Sequence, residues 1–407
     1  MTFRELSQAD SLTAFLERIE NFGFPWIAKR LSGNDTGLTN SHQAGVYWPA
    51  EFFRHVFPEI CTIYHRNPDL YLPEVRILNT GYTHESLQIV YYNNRFFDGT
   101  GTRNEFRMTG WGGRQCPLQD SEKTGSIFIF SIAEDVDGAK KGVGWLCSSS
   151  TEEELFEDWI GLELYPGEFL GDIEYNLRRH TEHYMSFVRS LIEPPWQTMF
   201  PSGKDIFAKC EQAIPHSNDI DRILMKRRML EYDLFLEIEK LHVLPIISKG
   251  FATVDDFIMQ ANSITNRRKS RTGRSLELHL EVIFKSEGLL FEVGVVTENR
   301  KKPDFLFPSQ ISYQDSLFPD CKLDMLGAKT CCKDRWRQIL NEANRVPQKH
   351  LFTLQEGISE NQMQEMTDNG VILVVPEGNR NFFPREFRNT LLNLRGFINM
   401  RLAKQRP

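Results

Sequence analysis

The chain has 407 residues, of which 40% are hydrophobic and 25% charged, as in ordinary globular proteins of two or three domains. Its formal net charge of −7 argues against a protein that coats DNA passively, although basic segments occur near residues 226–228, 267–274 and 300–302. No apolar run could cross a bilayer, and the 7 cysteines show neither a disulfide framework nor a zinc-knuckle spacing, so we expect a reduced, cytoplasmic protein with no membrane partner.

Short strand-like runs dominate the first 175 or so residues. They lie near residues 75–82, 87–93, 126–133 and 142–147. Turn signals such as Asp98-Gly99 separate them. The pattern predicts a mostly β domain, a barrel or pseudobarrel, with helices near 8–20 and 151–162. We assign this domain to residues 1–180.

A linker is predicted at residues 181–203, because Glu193-Pro194-Pro195 cannot continue a helix. Longer helices and short strands follow in the second domain, residues 204–407. The helices are predicted at 217–243, 254–266, 275–288, 334–345, 359–369 and 384–403. The strands are predicted at 289–296, 303–307, 323–330, 350–355 and 371–376. This order predicts a mixed α/β domain, in which helices flank a central mixed sheet.

Asp304 and Lys329 are the first candidate catalytic residues. Pro303-Asp304 begins a short apolar strand, and Lys329 lies near the end of the next strand. Neighbouring strands would bring both side chains to one edge of the sheet. Phosphodiester hydrolysis needs such a group, because carboxylates bind a hard cation such as Mg²⁺ and a lysine can act on the attacking water and the phosphate.

The second acid of the common nuclease pattern PD…(D/E)-x-K is missing, since Gly327 stands two residues before Lys329. Glu342, on the predicted helix 334–345, is the candidate replacement. Glu277 and Glu281 lie one helical turn apart, and either could add a further carboxylate. A Pro-Asp pair before a strand is also common outside nucleases, so these residues alone leave the function open.

Longer runs of the sequence resemble the EcoRII family of type II restriction endonucleases. The C-terminal runs are NRRKSR (266–271), SLELHLE (275–281), KKPDFLFP (301–308), CKDRWRQILNEA (332–343) and LFTLQEG (351–357). The N-terminal runs lie at 30–32, 34–37, 42–43, 91–93, 102–105 and 117–120. Because the matches are collinear over nearly the whole chain, they are far more specific than the Pro-Asp pair.

The resemblance implies an enzyme of a restriction-modification system that cuts double-stranded DNA at a short palindromic site of the CC(A/T)GG type. It implies Mg²⁺ as cofactor and a homodimer, which a twofold site also favours. It further implies that Asp304 and Glu342 hold the metal and that Lys329 acts on the water and the scissile phosphate. Glu277, rather than Glu281, would assist them.

The resemblance also implies which residues of the catalytic domain read DNA. The triplet Lys333-Asp334-Arg335 would read consecutive C·G pairs, since Lys and Arg donate to guanine and Asp accepts from cytosine N4. Asn266 matches a minor-groove reader. Arg228 and Tyr232, four residues apart on a helix, match a pocket in which a flipped central base stacks.

The N-terminal domain resembles the family's effector domain, a pseudobarrel that binds a second DNA copy. Its DNA-contacting positions match His42, Tyr47, Arg103, Glu105 and Arg107. Gly101 and Phe106 stand where the family has basic residues, and both changes would weaken phosphate contacts. The resemblance implies that this domain also blocks the catalytic cleft.

Two other functions remain open from the sequence. One is a sequence-specific DNA-binding or regulatory protein on the same fold, with a catalytically weakened site. The other is a repair or nicking nuclease with a different substrate. No G-x-x-x-x-G-K-[ST] loop is present, so we expect no nucleoside triphosphate as a partner.

Overall fold

The computed structural model describes residues 2–39, 45–61, 64–99, 101–171, 182–333 and 335–406. They form a β-rich N-terminal half and an α/β C-terminal half, each built around its own sheet. Among these described residues, none of the helices combines the length and the apolar character that a bilayer crossing requires.

The N-terminal half is a seven-stranded sheet with the order β4-β3-β2-β6-β5-β1-β7. Its strands are β1 (Trp26–Arg30), β2 (Asp69–Ile77), β3 (Tyr82–Tyr92), β4 (Glu105–Thr109), β5 (Ile127–Glu134), β6 (Lys140–Leu146) and β7 (Phe169–Gly171). The described helices of this half are α1 (Phe3–Leu6), α2 (Leu12–Phe22), α3 (Ala50–Val56), α4 (Asn94–Phe97) and α5 (Ser150–Ile160). β2 and β6 pair in parallel, whereas the other neighbours are antiparallel.

Strand β5 is apolar along nearly its whole length, and it does not alternate between apolar and polar residues. Phe128 and Phe130 enter one core cluster, and Ile127 and Ile129 enter a second cluster on the opposite face. Both faces of the strand are therefore covered, so both sets of side chains must be apolar.

Strand β4 alternates between the core and the surface. Phe106 is fully buried, and its ring stacks on Tyr91 at 4.4 Å and on Phe53 at 5.1 Å between centroids. Glu105 and Arg107 lie on the other face and pair at 3.2 Å. The expectation that Phe106 removes a phosphate contact is therefore wrong, because its side chain points into the core and not toward the face that carries the charges.

The C-terminal half is built on a five-stranded sheet with the order β12-β11-β10-β9-β8. Its strands are β8 (Glu292–Val293), β9 (Phe305–Phe307), β10 (Asp324–Lys329), β11 (Lys349–Thr353) and β12 (Val371–Val374). β10, β11 and β12 run parallel, and β8 and β9 are antiparallel to their neighbours, so the predicted mixed sheet is confirmed.

Helices flank both faces of this sheet. They are α6 (Glu182–Ser190), α7 (Gly203–Ala213), α8 (Ile220–Lys249), α9 (Val254–Ser286), α10 (Gln310–Gln314), α11 (Glu360–Asp368) and α12 (Leu394–Gln405). Leu306 and Met325 enter the core on one face, and Phe305 and Leu326 enter the core on the other. The two cores hold β9 and β10 in place next to the candidate site.

Two predicted helices are a single helix, α9. The polar run between them is held in helical form by ion pairs to α8, because Arg268 binds Glu239 and Arg271 lies 3.7 Å from Glu231. These arginines belong to the basic segment 267–274, yet the Arg271 side chain is only 7% exposed.

The predicted helix 334–345 is instead a short 3₁₀ turn, Trp336–Asn341. It cannot continue, because Ala343 adopts a left-handed conformation with φ of 45°. The last helix begins at Leu394, ten residues later than predicted, since residues 384–393 form a 3₁₀ turn and a short β-bridge.

The described part of the region between the two sheets is also helical. α6 packs on α8 through the Tyr184 hydroxyl, 2.9 Å from an Asp233 oxygen, and through Arg189, 2.8 Å from Glu237. Residues 182–190 are thus attached to the C-terminal half.

A buried carboxylate joins the last helix to the central strand. Asp324 is 1% exposed, and its oxygens lie 2.7 Å from His350 Nδ1, 3.2 Å from Arg401 Nη1 and 3.1 Å from Lys404 Nζ. Burial opposes its ionisation, but these partners hold the pKa of Asp324 below the usual value. Asp324 thereby stabilises the strand that carries Lys329.

We predict that Asp324→Ala lowers the free energy of unfolding of the C-terminal half by about 3–5 kcal/mol, because it leaves Arg401 buried without its anion. Urea denaturation measures this. The control is Asp320→Ala, which removes a carboxylate that is 60% exposed and should cost about 1 kcal/mol or less. Equal losses in the two variants would contradict the structural role given to Asp324.

Candidate active site and DNA-reading surface

The candidate active site begins at the pairing of β9 with β10. The register sets Phe305 against Leu326, and so brings Asp304 to the end of β10. One Asp304 oxygen, Oδ2, accepts a hydrogen bond from the Ala328 amide at 2.7 Å and from the Lys329 ammonium at 3.1 Å. The structure thus brings together the carboxylate and the lysine that the sequence placed on separate strands.

Gly327 shows why the usual acid is absent from β10. A Cβ atom at this position would lie 2.8 Å from Ile339 Cγ2 and 3.9 Å from Asp304 Oδ2. A side chain would therefore collide with the 3₁₀ turn that leads to Glu342. The segment that delivers the replacement carboxylate fills the space of the acid it replaces.

Glu342 lies at the end of this 3₁₀ turn rather than on an α-helix. Burial raises its pKa to about 7, and the nearby Asp304 charge contributes. Burial also raises the pKa of Glu277 on α9, again with a contribution from Asp304, whereas Lys329 opposes both shifts. The four predicted catalytic residues therefore lie close enough to interact electrostatically.

Glu281 is engaged differently from Glu277. Its carboxylate lies 2.5 Å from the ammonium of Lys285, one turn further along α9. Glu277, in contrast, interacts with Asp304 and Lys329. Because the charges of Asp304 and Lys329 act on Glu277, whereas Glu281 pairs with Lys285, Glu277 is the better candidate for the additional carboxylate.

The oxygen donors of this site suit a hard divalent cation. Mg²⁺ in nucleases is held by one or two carboxylates, with water and substrate phosphate completing its octahedron. Asp304 and Glu342 provide that number, and a cation between them would favour the charged form of Glu342, whose pKa is raised by burial and by the Asp304 charge. In the described ranges, no three His, Cys, Asp or Glu side chains are already grouped as metal ligands.

The predicted triplet Lys333-Asp334-Arg335 follows β10 at the boundary with the N-terminal half. The Lys333 ammonium donates to the Ser126 hydroxyl, and Arg335 Nη2 lies 3.7 Å from a Glu154 oxygen. Asp334 lies outside the described residues. Both described members of the triplet thus contact the other half of the chain.

Gln355 is a positioning residue that sequence reasoning missed. It is 1% exposed, and its side-chain oxygen accepts hydrogen bonds from the Cys332 amide at 2.9 Å and the Lys333 amide at 3.1 Å. Gln355 thereby fixes the backbone just before the triplet. Gln355 lies within the run LFTLQEG. The signal available in the sequence was a polar residue directly after an apolar strand.

Arg228 and Tyr232 lie together on α8, but neither is open to solvent, with exposures of 9% and 8%. Tyr165 of the N-terminal half covers them. The Arg228 guanidinium lies 5.2 Å from the centre of the Tyr165 ring, and the Tyr232 ring meets it edge-on at 6.4 Å. A cavity of about 340 Å³ adjoins these three side chains.

Arg271 was missed as part of this pocket. Its Nη2 lies 3.4 Å from the Tyr165 hydroxyl, and its guanidinium lies 5.2 Å from the centre of the Tyr232 ring. Asn266, five residues earlier on the same helix, is exposed. The structure therefore places the predicted minor-groove reader on the surface and the predicted base pocket in the interior.

The effector residues described by the structure lie along one edge of the N-terminal sheet. Tyr47 forms an isolated β-bridge with Arg107, and Arg103 and Arg107 lie 4.0 and 3.2 Å from Glu105. The Arg103 side chain is 52% exposed. His42 lies outside the described residues.

Comparison with known proteins agrees with both halves of this architecture. A family model described as "Restriction endonuclease EcoRII, N-terminal" matches residues 21–171, and one described as "EcoRII C terminal" matches residues 235–398. The type II restriction enzyme EcoRII of Escherichia coli is 42% identical over 391 residues, which cover 93% of this chain and 94% of that protein.

One further relative and one solved structure match smaller parts of the chain. The type II restriction enzyme SsoII of Shigella sonnei is 25% identical over 150 residues, or 32% of this chain and 48% of that protein. A structure of metal-depleted Ecl18kI in complex with uncleaved, modified DNA is 19% identical, with a TM-score of 0.43, and the match covers 54% of this chain and 84% of that chain.

The raised pKa of Glu342 predicts that the ionised site lowers the free energy of unfolding, by an amount that depends on pH. In the unfolded chain a glutamate titrates near pH 4.3, so the fold must hold an unfavourable charge as the pH rises through about 7. We expect Glu342→Gln to stabilise the metal-free protein by about 1–2 kcal/mol at pH 8, after allowance for solvent screening, and by much less at pH 5.

Thermal unfolding with a chelator present at both pH values tests this prediction. The matched control is Glu281→Gln, whose carboxylate pairs with the exposed Lys285 and should contribute about 0.5 kcal/mol or less. A Glu342→Gln effect of the same size at pH 5 and pH 8 would show that the negative charge of Glu342 is not its cause.

Proposed function

The chain belongs to the EcoRII family of type II restriction endonucleases, and we propose that it uses Mg²⁺ to cut both strands of DNA at a CC(A/T)GG-type site. The observation that carries this proposal is the contact of Asp304 with both the Ala328 amide and Lys329, within electrostatic reach of Glu277 and Glu342. Phosphodiester hydrolysis requires this combination of carboxylates and an ammonium group.

Asp304 and Glu342 are the proposed metal ligands. Bound Mg²⁺ supplies positive charge and Lewis acidity at the scissile phosphate. Asp304 also receives a hydrogen bond from the Ala328 amide, so its carboxylate is fixed relative to β10 before substrate arrives. Glu342 must be ionised to bind the metal, and its pKa of about 7 means that metal binding releases protons near neutral pH.

Lys329 is the proposed group that acts on the water and the phosphate. Its ammonium is held by Asp304 and its side chain is 27% exposed, so it remains within reach of a nucleotide at the sheet edge. It donates to the attacking water or to a non-bridging phosphate oxygen, and stabilises the charge that develops there. Glu277, whose pKa is raised, accepts a hydrogen bond from the same water and orients it.

The test is cleavage of unmethylated phage DNA in the presence of Mg²⁺. We expect discrete fragments from the unaltered chain and at least about a 100-fold lower rate from Lys329→Ala, because an electrostatic donor at the reacting phosphate is lost. Lys322→Ala is the control, since the Lys322 ammonium binds the Arg406 carbonyl at 3.1 Å and its loss should leave the rate unchanged.

A gel shift on specific DNA without any cleavage by the unaltered chain would instead favour a regulatory DNA-binding protein. Fragmentation without discrete bands would favour a repair or nicking nuclease. Equal activity of Lys329→Ala and the unaltered chain would rule out the proposed active site.

Sequence recognition is proposed for both halves of the chain. In the catalytic domain, residues 204–407, Lys333, Asp334 and Arg335 read C·G pairs, Asn266 contacts the minor groove, and Arg228 and Tyr232 hold an extruded base. In the effector domain, residues 1–180, Tyr47, Arg103, Glu105 and Arg107 bind a second DNA copy together with His42. The palindromic site is served by a homodimer.

Autoinhibition by the effector domain is supported by its contacts with the proposed DNA-reading residues of the catalytic domain. Ser126 and Glu154 contact Lys333 and Arg335, and Tyr165 covers Arg228 and Tyr232. The hydrogen bonds of Asp304 and Lys329, by contrast, come from within the catalytic half. We therefore propose that the effector domain competes with DNA for the residues that read bases, rather than for the carboxylates.

We predict that Tyr165→Ala speeds cleavage of DNA with a single site about tenfold, because the base pocket no longer has to release an aromatic ring. Tyr165→Phe keeps the ring and should behave almost like the unaltered chain. Tyr71→Ala, which removes a tyrosine that is 55% exposed elsewhere in the same domain, is the matched control. The comparison is of cleavage rates on plasmids with one site and with two.

An unchanged single-site rate for Tyr165→Ala, alongside a faster rate when residues 1–180 are deleted, would place the inhibitory contact elsewhere. No acceleration by either change, in a folded protein, would remove autoinhibition from the proposed function.

A further inference from the structure

The segment that carries Glu342 is an irregular turn, not a helix or a strand. Glu342 has extended backbone angles, with φ of −94° and ψ of 144°, and Ala343 is left-handed, with φ of 45°. A residue other than glycine is uncommon in that conformation, and it persists where the surrounding structure holds it. Because the turn has no regular hydrogen-bond ladder of its own, other groups must fix the position of the Glu342 carboxylate.

Lys349 holds the carbonyl groups of this turn. Its ammonium donates hydrogen bonds to the carbonyls of Glu342 at 2.7 Å, of Ala343 at 3.2 Å and of Val346 at 3.0 Å. An ammonium has three N–H donors, so each donor has one backbone oxygen as its acceptor. Lys349 is 6% exposed, so little water competes for these oxygens, and the hydrogen bonds are stronger than they would be at the surface.

The central sheet anchors Lys349 itself. Lys349 is the first residue of β11, and its amide donates to the Gly370 carbonyl at 2.8 Å. In the sheet, β11 lies between β12 and β10, the strand that ends at Lys329. The Lys349 ammonium therefore ties the turn that carries Glu342 to the sheet that positions Lys329.

Two further side chains hold the amide groups of the same turn. Thr297 Oγ1 accepts a hydrogen bond from the Ala343 amide at 3.4 Å, and a Glu298 oxygen accepts one from the Asn344 amide at 3.3 Å. Both side chains belong to the segment between β8 and β9, which leads directly into Asp304. The turn is thus connected to the segment that delivers the other proposed metal ligand.

We propose that Lys349 is the positioning residue of Glu342, because its ammonium holds the backbone from which the Glu342 carboxylate reaches the metal. This inference rests on the proposed function, in which Asp304 and Glu342 bind Mg²⁺. In this role Lys349 touches neither the metal nor the phosphate. It keeps one ligand at the distance from Asp304 that a shared cation requires.

Two other roles of Lys349 predict different results when the ammonium is lost. A purely electrostatic role predicts tighter metal binding, because a positive charge repels a nearby divalent cation. A purely structural role predicts a less stable protein, with no dependence on Glu342. The positioning role predicts weaker metal binding, and only while the Glu342 carboxylate is present to be positioned.

Electron paramagnetic resonance of free Mn²⁺, titrated with the full-length chain, tests the proposal without a cleavage assay. Mn²⁺ takes the same oxygen ligands as Mg²⁺. The test variant is Lys349→Met, which keeps an unbranched apolar side chain and lacks the ammonium. We expect its Mn²⁺ dissociation constant to rise about tenfold or more, as for other groups that hold a metal ligand in place. In a Glu342→Gln background, the same substitution should change the constant by less than about twofold.

Lys29→Met is the matched control. Lys29 is 5% exposed, and its ammonium lies 2.6 Å from an Asp35 oxygen in the N-terminal half. The control therefore removes an equally buried ammonium far along the chain from Glu342, and it should leave the Mn²⁺ dissociation constant unchanged. Circular dichroism verifies that each variant is folded.

Thr297→Val is a milder second variant, which decides the matter if Lys349→Met does not fold. Valine has nearly the shape of threonine but cannot accept the hydrogen bond of the Ala343 amide. We expect the Mn²⁺ dissociation constant of this variant to rise at least about twofold, because one of the hydrogen bonds that hold the turn is lost. An unchanged constant would then count against the proposal.

Unchanged or tighter Mn²⁺ binding by folded Lys349→Met would overturn the proposal. So would an equally large weakening in the Glu342→Gln background, since Lys349 would then act independently of Glu342. Failure of the proposed function itself has a different signature. In that case the unaltered chain would bind Mn²⁺ no more tightly than Glu342→Gln does, and the positioning role would fall with it.

Discussion

The pairing of β9 with β10 is the constraint on which the site depends. It brings Asp304 Oδ2 to the Ala328 amide and the Lys329 ammonium, and so sets one oxygen of the carboxylate before any ligand is present. Cores on both faces of the sheet hold this register, and the buried Asp324 fixes the other end of β10. Because a shift of one residue would turn Lys329 to the opposite face, the packing of the whole sheet determines where the ammonium lies.

Packing against β10 explains why Glu342, and not residue 327, supplies the second carboxylate. Ile339 fills the volume in front of Gly327, and three residues later the chain delivers Glu342 to the neighbourhood of Asp304. The resulting group of carboxylates is costly in the absence of a cation, as the pKa of about 7 for Glu342 indicates. Functional sites commonly retain such local instability, since the ligand relieves it on binding.

The two halves of the chain meet at the residues that would read DNA. Lys333, Arg335, Arg228 and Tyr232 each contact side chains of the N-terminal half. The partners there are two oxygen acceptors and an aromatic ring, and a DNA base likewise offers acceptor atoms and an aromatic face.

The sequence by itself predicted the β-rich and α/β halves, the mixed sheet, the family, and the grouping of Asp304 with Lys329. Periodicity and local turn residues carry that information, because they record which face of each element is buried. Only the tertiary structure decided that α9 is continuous, that Phe106 is buried, that the Arg271 side chain is only 7% exposed, and that Glu342 ends a 3₁₀ turn. Those features depend on partners distant in the sequence, such as Glu231 on α8, and a local pattern cannot reveal them.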